Sequence, residues 1–176
     1  MMKPIINANP FRAANDGNLK RQFGGLDTYL HDGKLTNAQG QLVIYTDGAC
    51  PSNGKRRNGV VIAKSGCGVF GGPWLEESFR NPSGDDAECN TNNFAEAHAI
   101  EYAVERALDS GAAGVEIRTD SVYCIKSLTE WSEGWIKRAK GGVWRNRSRQ
   151  IIVHQPIFET VLDMMQQFEV TQAINL

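Results

Sequence analysis

The sequence predicts an α/β fold: a mixed sheet with helices packed on it. Three observations predict this. Three short segments rich in strand formers, at residues 42–46, 67–72 and 75–79, follow one another with Gly-Pro punctuation, the pattern of a meander. From residue 91 the period changes, and Phe94, Ala97, Ile100, Ala103, Val104, Ala107 and Leu108 recur close to every 3.6 residues. A further apolar strand, VEIRT at 115–119, is then followed by more helical pattern, so the meander gives way to strand–helix alternation.

Each element has a local reason. Residues 1–40 are frequent in Asn, Gly, Pro and Ala and are expected to be a flexible N-terminal extension, in which Phe23, Leu26, Tyr29 and Leu30 supply at most one short docking turn. Arg12, Lys20 and Arg21 with few early acids make a mitochondrial presequence a weaker alternative. The folded domain is expected over 41–176. The helix from 91 is capped by Thr91 or Asn92 and ended by Gly111, and Ser121 stands near the start of a second helix. Residues 131–149 are rich in Trp and Arg. Pro156–Phe168 is an amphipathic helix with Ile157, Val161, Leu162, Met165 and Phe168 on one side, and the stretch EVTQAINL reads as a last strand.

The bulk numbers exclude several classes. A chain of 176 residues suits one domain with a real core, and 41% hydrophobic with 22% charged residues is ordinary for a globular protein. A net charge of -1 argues against a uniformly basic coat and leaves room for a local basic patch. No run of about 18 apolar residues exists and no secretory h-region opens the chain. Four cysteines without a CxxC pair read as reduced thiols, so an intracellular site, nucleus or cytoplasm, is expected. The three histidines are too scattered for zinc. CGVFGG is not a GxGxxG opening a helix, and no P-loop is present, which disfavours a nucleotide-binding domain.

The chemistry concentrates in carboxylates. Asp47, in VIYTDGAC, and Asp120, in IRTDSVYC, both end apolar strands. If the two strands are parallel neighbours, both acids emerge at the C-terminal edge where open α/β sheets bind ligands. Glu96 lies on the sheet-facing flank of the first helix, unlike Glu101 and Glu105. Gathered carboxylates repel and are costly to desolvate, and a hard divalent cation compensates them. Spacing alone leaves two readings open: a metal site, or separate surface acids at turns.

YTDGAC, TNNFAEAHA and IRTDSVYCI, in that order, resemble the three acidic motifs of type 1 ribonuclease H, with SNGKRR and SEGW also fitting, over about residues 42–170. The resemblance implies a five-stranded mixed sheet in the order 3-2-1-4-5 with helices on both faces. It implies cleavage of the RNA strand of an RNA–DNA hybrid by two Mg²⁺ ions (Mn²⁺ as a substitute), giving 3′-hydroxyl and 5′-phosphate ends. Asp47, Glu96 and Asp120 match the family's catalytic metal ligands, Asp47 bridging both ions. Asn53, Asn92 and Asn93 match residues at the hybrid's minor groove, where an amide answers the donor and acceptor of a 2′-hydroxyl. Thr91 matches part of a DNA-phosphate pocket, but Cys89 and Lys126 depart from the family pattern there; Lys126 can still meet a phosphate as a point charge.

The stretch WSEGWIKRAKGGVWRNRSRQ resembles the family's basic protrusion, a handle on the DNA strand. Lys137, Arg138, Lys140, Arg145, Arg147 and Arg149 supply charge. Trp135 and Trp144 are expected at the nucleic-acid surface and Trp131 in the core. The family's loop histidine, fourth aspartate and C-terminal helix have no match before Leu176, so a catalytically impaired hybrid-binding module is the alternative to an enzyme. No membrane association is expected, and a protein partner is unknown from the sequence.

Overall fold

The computed structural model describes residues 6–8, 28–81 and 90–174. In chain order the strands are β1 (Ile6–Ala8), β2 (Tyr29–His31), β3 (Lys34–Thr36), β4 (Leu42–Ala49), β5 (Arg56–Arg57), β6 (Val60–Val61), β7 (Gly66–Gly72), β8 (Leu75–Arg80) and, after the first helix, β9 (Val115–Thr119). The helices are α1 (Asn92–Asp109), α2 (Val122–Lys126), α3 (Ser132–Arg138) and α4 (Gln155–Ile174), with a π-helical turn at Ser127–Trp131 between α2 and α3.

β4 is the central strand. It runs antiparallel to β7, with Tyr45 opposite Phe70 and Asp47 opposite Gly68, and parallel to β9, with Leu42 opposite Val115 and Tyr45 opposite Arg118. β8 returns antiparallel on β7, and β1 lies parallel on the far side of β9. The resulting path β8–β7–β4–β9–β1 is a mixed α/β sheet of the expected class, and β5–β6 forms a separate small ribbon.

Alternation along the strands separates two faces. Leu42, Ile44, Cys67, Val69, Val115 and Ile117 face one side, where they share a core with Ala95, Ala99, Ile100, Ala103 and Val104 of α1 and with Phe158 and Val161 of α4. The alanine stripe lets α1 lie close to the sheet. Helices are expected on both faces; among the described residues, α1 to α4 all feed this one cluster. The second face carries a smaller cluster of Leu35, Val43 and Tyr45, with Phe70 against it.

That second face also buries charge. Arg118 Nε donates to Glu116 at 2.9 Å, and its guanidinium also donates to the Tyr45 hydroxyl at 2.9 Å and to Thr28 Oγ1 at 2.7 Å. Asn37 Nδ2 donates to the other Glu116 oxygen at 2.8 Å. The strand VEIRT is therefore apolar on the helix side and a satisfied polar network on the other.

Two expectations are corrected. The stretch EVTQAINL is not a strand: α4 continues to Ile174. No Gly or Pro follows Phe168 to stop the helix, and β1 takes the free edge of β9, with Ile6 opposite Ile117. Nor is all of residues 1–40 an irregular extension. β2 and β3 form a hairpin on an Asp32-Gly33 turn, both residues at positive φ (48° and 77°), as an Asp-Gly turn requires. Leu35 of that hairpin is buried on the second face, and β3 joins β4 through Thr36 opposite Leu42. The docking residues Phe23 and Leu26 lie outside the described residues. Among the described residues, no helix is long and apolar enough to cross a membrane.

Candidate active site and nucleic-acid interface

Parallel pairing of β4 and β9 brings Asp47 and Asp120 to the same sheet edge. The third acid arrives through a close helix–strand contact. A Cβ on Gly48 would lie 2.1 Å from the backbone nitrogen of Glu96, so only glycine lets α1 sit this deep. Asp47, Glu96 and Asp120 each present a carboxylate oxygen within 4.8 Å of the others.

Their environments differ. Asp47 and Asp120 are exposed, whereas Glu96 is 9% exposed. Burial, then the charges of Asp47 and Asp120, push the Glu96 carboxyl up from 4.5 to about 7, against a smaller opposing pull from the Gly48 amide and the Thr119 hydroxyl. Its Oε2 is buried without a hydrogen-bond partner. An orphaned acceptor amid three convergent acids is unfavourable by itself and fits a hard, oxygen-seeking divalent cation. Cys67 lies nearby with its Sγ donating to the Ala95 carbonyl; burial first, then Glu96 and Asp47, push its thiol to about 12, so it is an inert neighbour.

The loop after β4 is stapled to the start of α1. The Cys50 amide donates to Asn92 Oδ1 at 2.5 Å, the Asn92 amide donates to Asn53 Oδ1 at 3.0 Å, and the Gly54 amide donates to the Asn90 carbonyl at 2.6 Å. Asn53, at φ 29° and exposed, thus has its side-chain oxygen engaged by the start of α1. Thr91 is the N-cap, its Oγ1 accepting from the Phe94 amide at 3.2 Å. Asn92 and Asn93 are exposed.

The basic stretch is partly as expected and partly reversed. Lys137, Arg138 and Arg145 are exposed. Lys137 is paired with Glu133 at 2.6 Å, and Arg145 donates to the Arg149 carbonyl at 2.8 Å. Trp135 and Trp144, expected at the surface, are 5% and 3% exposed and pack on each other, Trp135 also stacking on Phe158. Trp131, expected in the core, is 39% exposed with Lys126 Nζ 6.0 Å from its ring centre. The π-helical turn is the reason: its i→i+5 bond from the Ser132 amide to the Ser127 carbonyl moves the inward position from Trp131 to the buried Ser132. Trp131 instead lines a cavity of about 560 Å³ with Tyr123, Arg138, Asn146 and Arg147. Tyr123 is a wall of this cavity that periodicity does not single out; its hydroxyl lies 2.9 Å from His154 Nδ1.

The comparisons with known proteins agree with this geometry. The RNase H family model matches residues 39–173. The chain is 31% identical over 137 residues to ribonuclease H1 of Rattus norvegicus, covering 77% of this chain and 41% of that one. It is 34% identical to ribonuclease H of Cyanothece sp., covering 75% of this chain and 72% of the relative. It thus spans under half the length of the rat relative. Among solved structures it is similar to a foamy viral protease-reverse transcriptase in complex with dsDNA, at 26% identity and a TM-score of 0.52, covering 72% of this chain and 74% of that one. The chain belongs to the RNase H family.

Proposed function

We propose that this chain is an endonuclease that hydrolyses the RNA strand of RNA–DNA hybrids, leaving 3′-hydroxyl and 5′-phosphate ends. The observation that carries the reading is the convergence of Asp47, Glu96 and Asp120, with one Glu96 oxygen buried and without a hydrogen-bond partner. These three residues would hold Mg²⁺, or Mn²⁺ in its place. When bound, a pair of such ions supplies activation of the attacking water and stabilisation of the leaving oxygen. The chain's own groups then position the substrate. The exposed Asn53, Asn92 and Asn93 would face the minor groove, where a 2′-hydroxyl marks the RNA strand. On the DNA strand, Thr91 and Lys126 meet phosphate oxygens, Arg138 and Arg145 bind phosphates with Lys137 beside them, and Trp131, not Trp135 or Trp144, presents an aromatic face.

The direct test is cleavage of an end-labelled RNA–DNA hybrid. The expected result is Mg²⁺-dependent cutting within the RNA strand that disappears in Asp47→Asn. Hybrid binding with no cutting in either Mg²⁺ or Mn²⁺ would overturn the enzymatic reading in favour of a hybrid-binding module.

A further inference from the structure

On the second face of the sheet, beside Asp47, a cavity of about 560 Å³ crosses β7 between β4 and β8. Its floor is poor in side chains. Gly66 and Gly68 of β7 present bare backbone there, opposite Arg80 and Ser78 of β8, and its rim carries Lys64 and Arg80. Both cations are exposed, and among the described residues neither has an acidic partner. Asp47 is the one carboxylate among the lining residues.

The glycines are informative because nothing internal requires them. Gly48 is needed for packing, and Gly72 combines φ 99° with a Gly33 oxygen 2.6 Å from where its Cβ would be. Gly68 has neither constraint: its φ is not in the left-handed region, and a Cβ there would meet nothing closer than 3.9 Å. Gly66 is nearly as open, with its closest atom at 3.4 Å. Glycine inside a strand costs stability and, without a packing or conformational cause, marks a place where another backbone comes close.

We propose that this trough is a second phosphodiester subsite, in which Lys64 and Arg80 bind the sugar-phosphate backbone of the RNA strand next to the scissile position. This rests on the hybrid-cleaving reading above. Asp47 belongs both to the acid cluster and to the trough wall, so the strand whose phosphate meets the acids is the one that continues over Gly68 and Gly66. A flexible backbone lies on the bare floor, and the two cations flank it from the rim. The aromatic cavity around Trp131 shares no lining residue with the trough and serves the other strand.

The test is fluorescence anisotropy of a labelled RNA–DNA hybrid with the whole chain in Ca²⁺, repeated across a salt series. Removing two phosphate contacts lowers the slope of log K against log salt by about 1.4–1.8, at roughly 0.7–0.9 per contact. The double variant Lys64→Gln/Arg80→Gln is expected to show that fall, and Lys64→Arg alone to keep the original slope. Arg145→Ala, on the opposite strand's handle, serves as the positive control. An unchanged slope in the double variant while Arg145→Ala lowers it would overturn the trough and leave the proposed function standing. Failure of the unaltered chain to bind the hybrid would overturn both.

Discussion

The backbone nitrogen of Glu96 lies 2.1 Å from the position a Cβ on Gly48 would occupy. This single close approach docks α1 on β4 and carries the Glu96 carboxylate to Asp47, the neighbour of Gly48. Gly48→Ala must push helix and strand backbone apart, since the contacted atoms are main chain. Overpacking of this kind typically costs about 1–3 kcal/mol. Chemical denaturation of Gly48→Ala is expected to show at least that loss. Gly68→Ala, on the adjacent strand with open space above it, is the contrasting control and should match the original chain or exceed it by about 0.4–1 kcal/mol.

Glu96 gives the fold a pH dependence of defined sign. Its folded carboxyl is raised from 4.5 to about 7, so the folded chain holds a proton that the unfolded chain has released. Stability from this group is full below about 4.5 and is lost as pH rises through about 7. A divalent cation held by these acids would have to displace that proton, so its affinity should climb over the same interval. His154 acts in the opposite direction, its pKa lowered by burial, and loses its contribution as pH falls through that lowered value. Thermal unfolding in EDTA, compared between the original chain and Glu96→Gln, isolates the first effect: the variant should lack the decline toward pH 7.

The tryptophans separate binding from folding. Trp135 is in the core between Trp144 and Phe158, and Trp135→Ala is expected to cost about 3–5 kcal/mol in a denaturation experiment. Trp131→Ala should cost clearly less stability than Trp135→Ala and weaken hybrid binding by about 1–3 kcal/mol in an anisotropy titration.

The Glu116–Arg118 pair, 4% and 7% exposed, sits on β9, immediately before Asp120. Arg118→Met leaves Glu116 buried and without its cation, a loss of roughly 3–5 kcal/mol, whereas removing both charges in Glu116→Leu/Arg118→Met should recover much of it. Equilibrium unfolding of the two variants checks the difference.

The parts of this fold that are legible in the sequence follow simple periods. β4, β7, β8, α1 and β9 come from alternation or a 3.6-residue repeat, and Thr91 and Ser121 cap their helices through side-chain oxygens as their residue types suggest. The meeting of Asp47 with Asp120 follows from parallel pairing alone. What is not legible depends on partners distant in the chain. Arg118 looks like an ordinary strand cation until Tyr45 and Thr28 surround it. Trp131 and Trp135 are four apart and their rings do touch, but the π-helical turn ending at Trp131 leaves it exposed while Trp135 is buried. The continuation of α4 depends on an edge already taken by β1, which no local pattern reports. The Asp32-Gly33 hairpin, by contrast, is a strong local signal that the polar composition around it obscures.

The most direct measurement of the central claim is Mn²⁺ binding followed by electron paramagnetic resonance, on the unaltered chain and on Asp47→Asn, Glu96→Gln and Asp120→Asn. Saturable binding by the unaltered chain, strongly weakened in each of the three variants while their folds persist, is the predicted result. Binding that is absent from the unaltered chain, or equal in all four proteins, would contradict a shared metal site at these carboxylates.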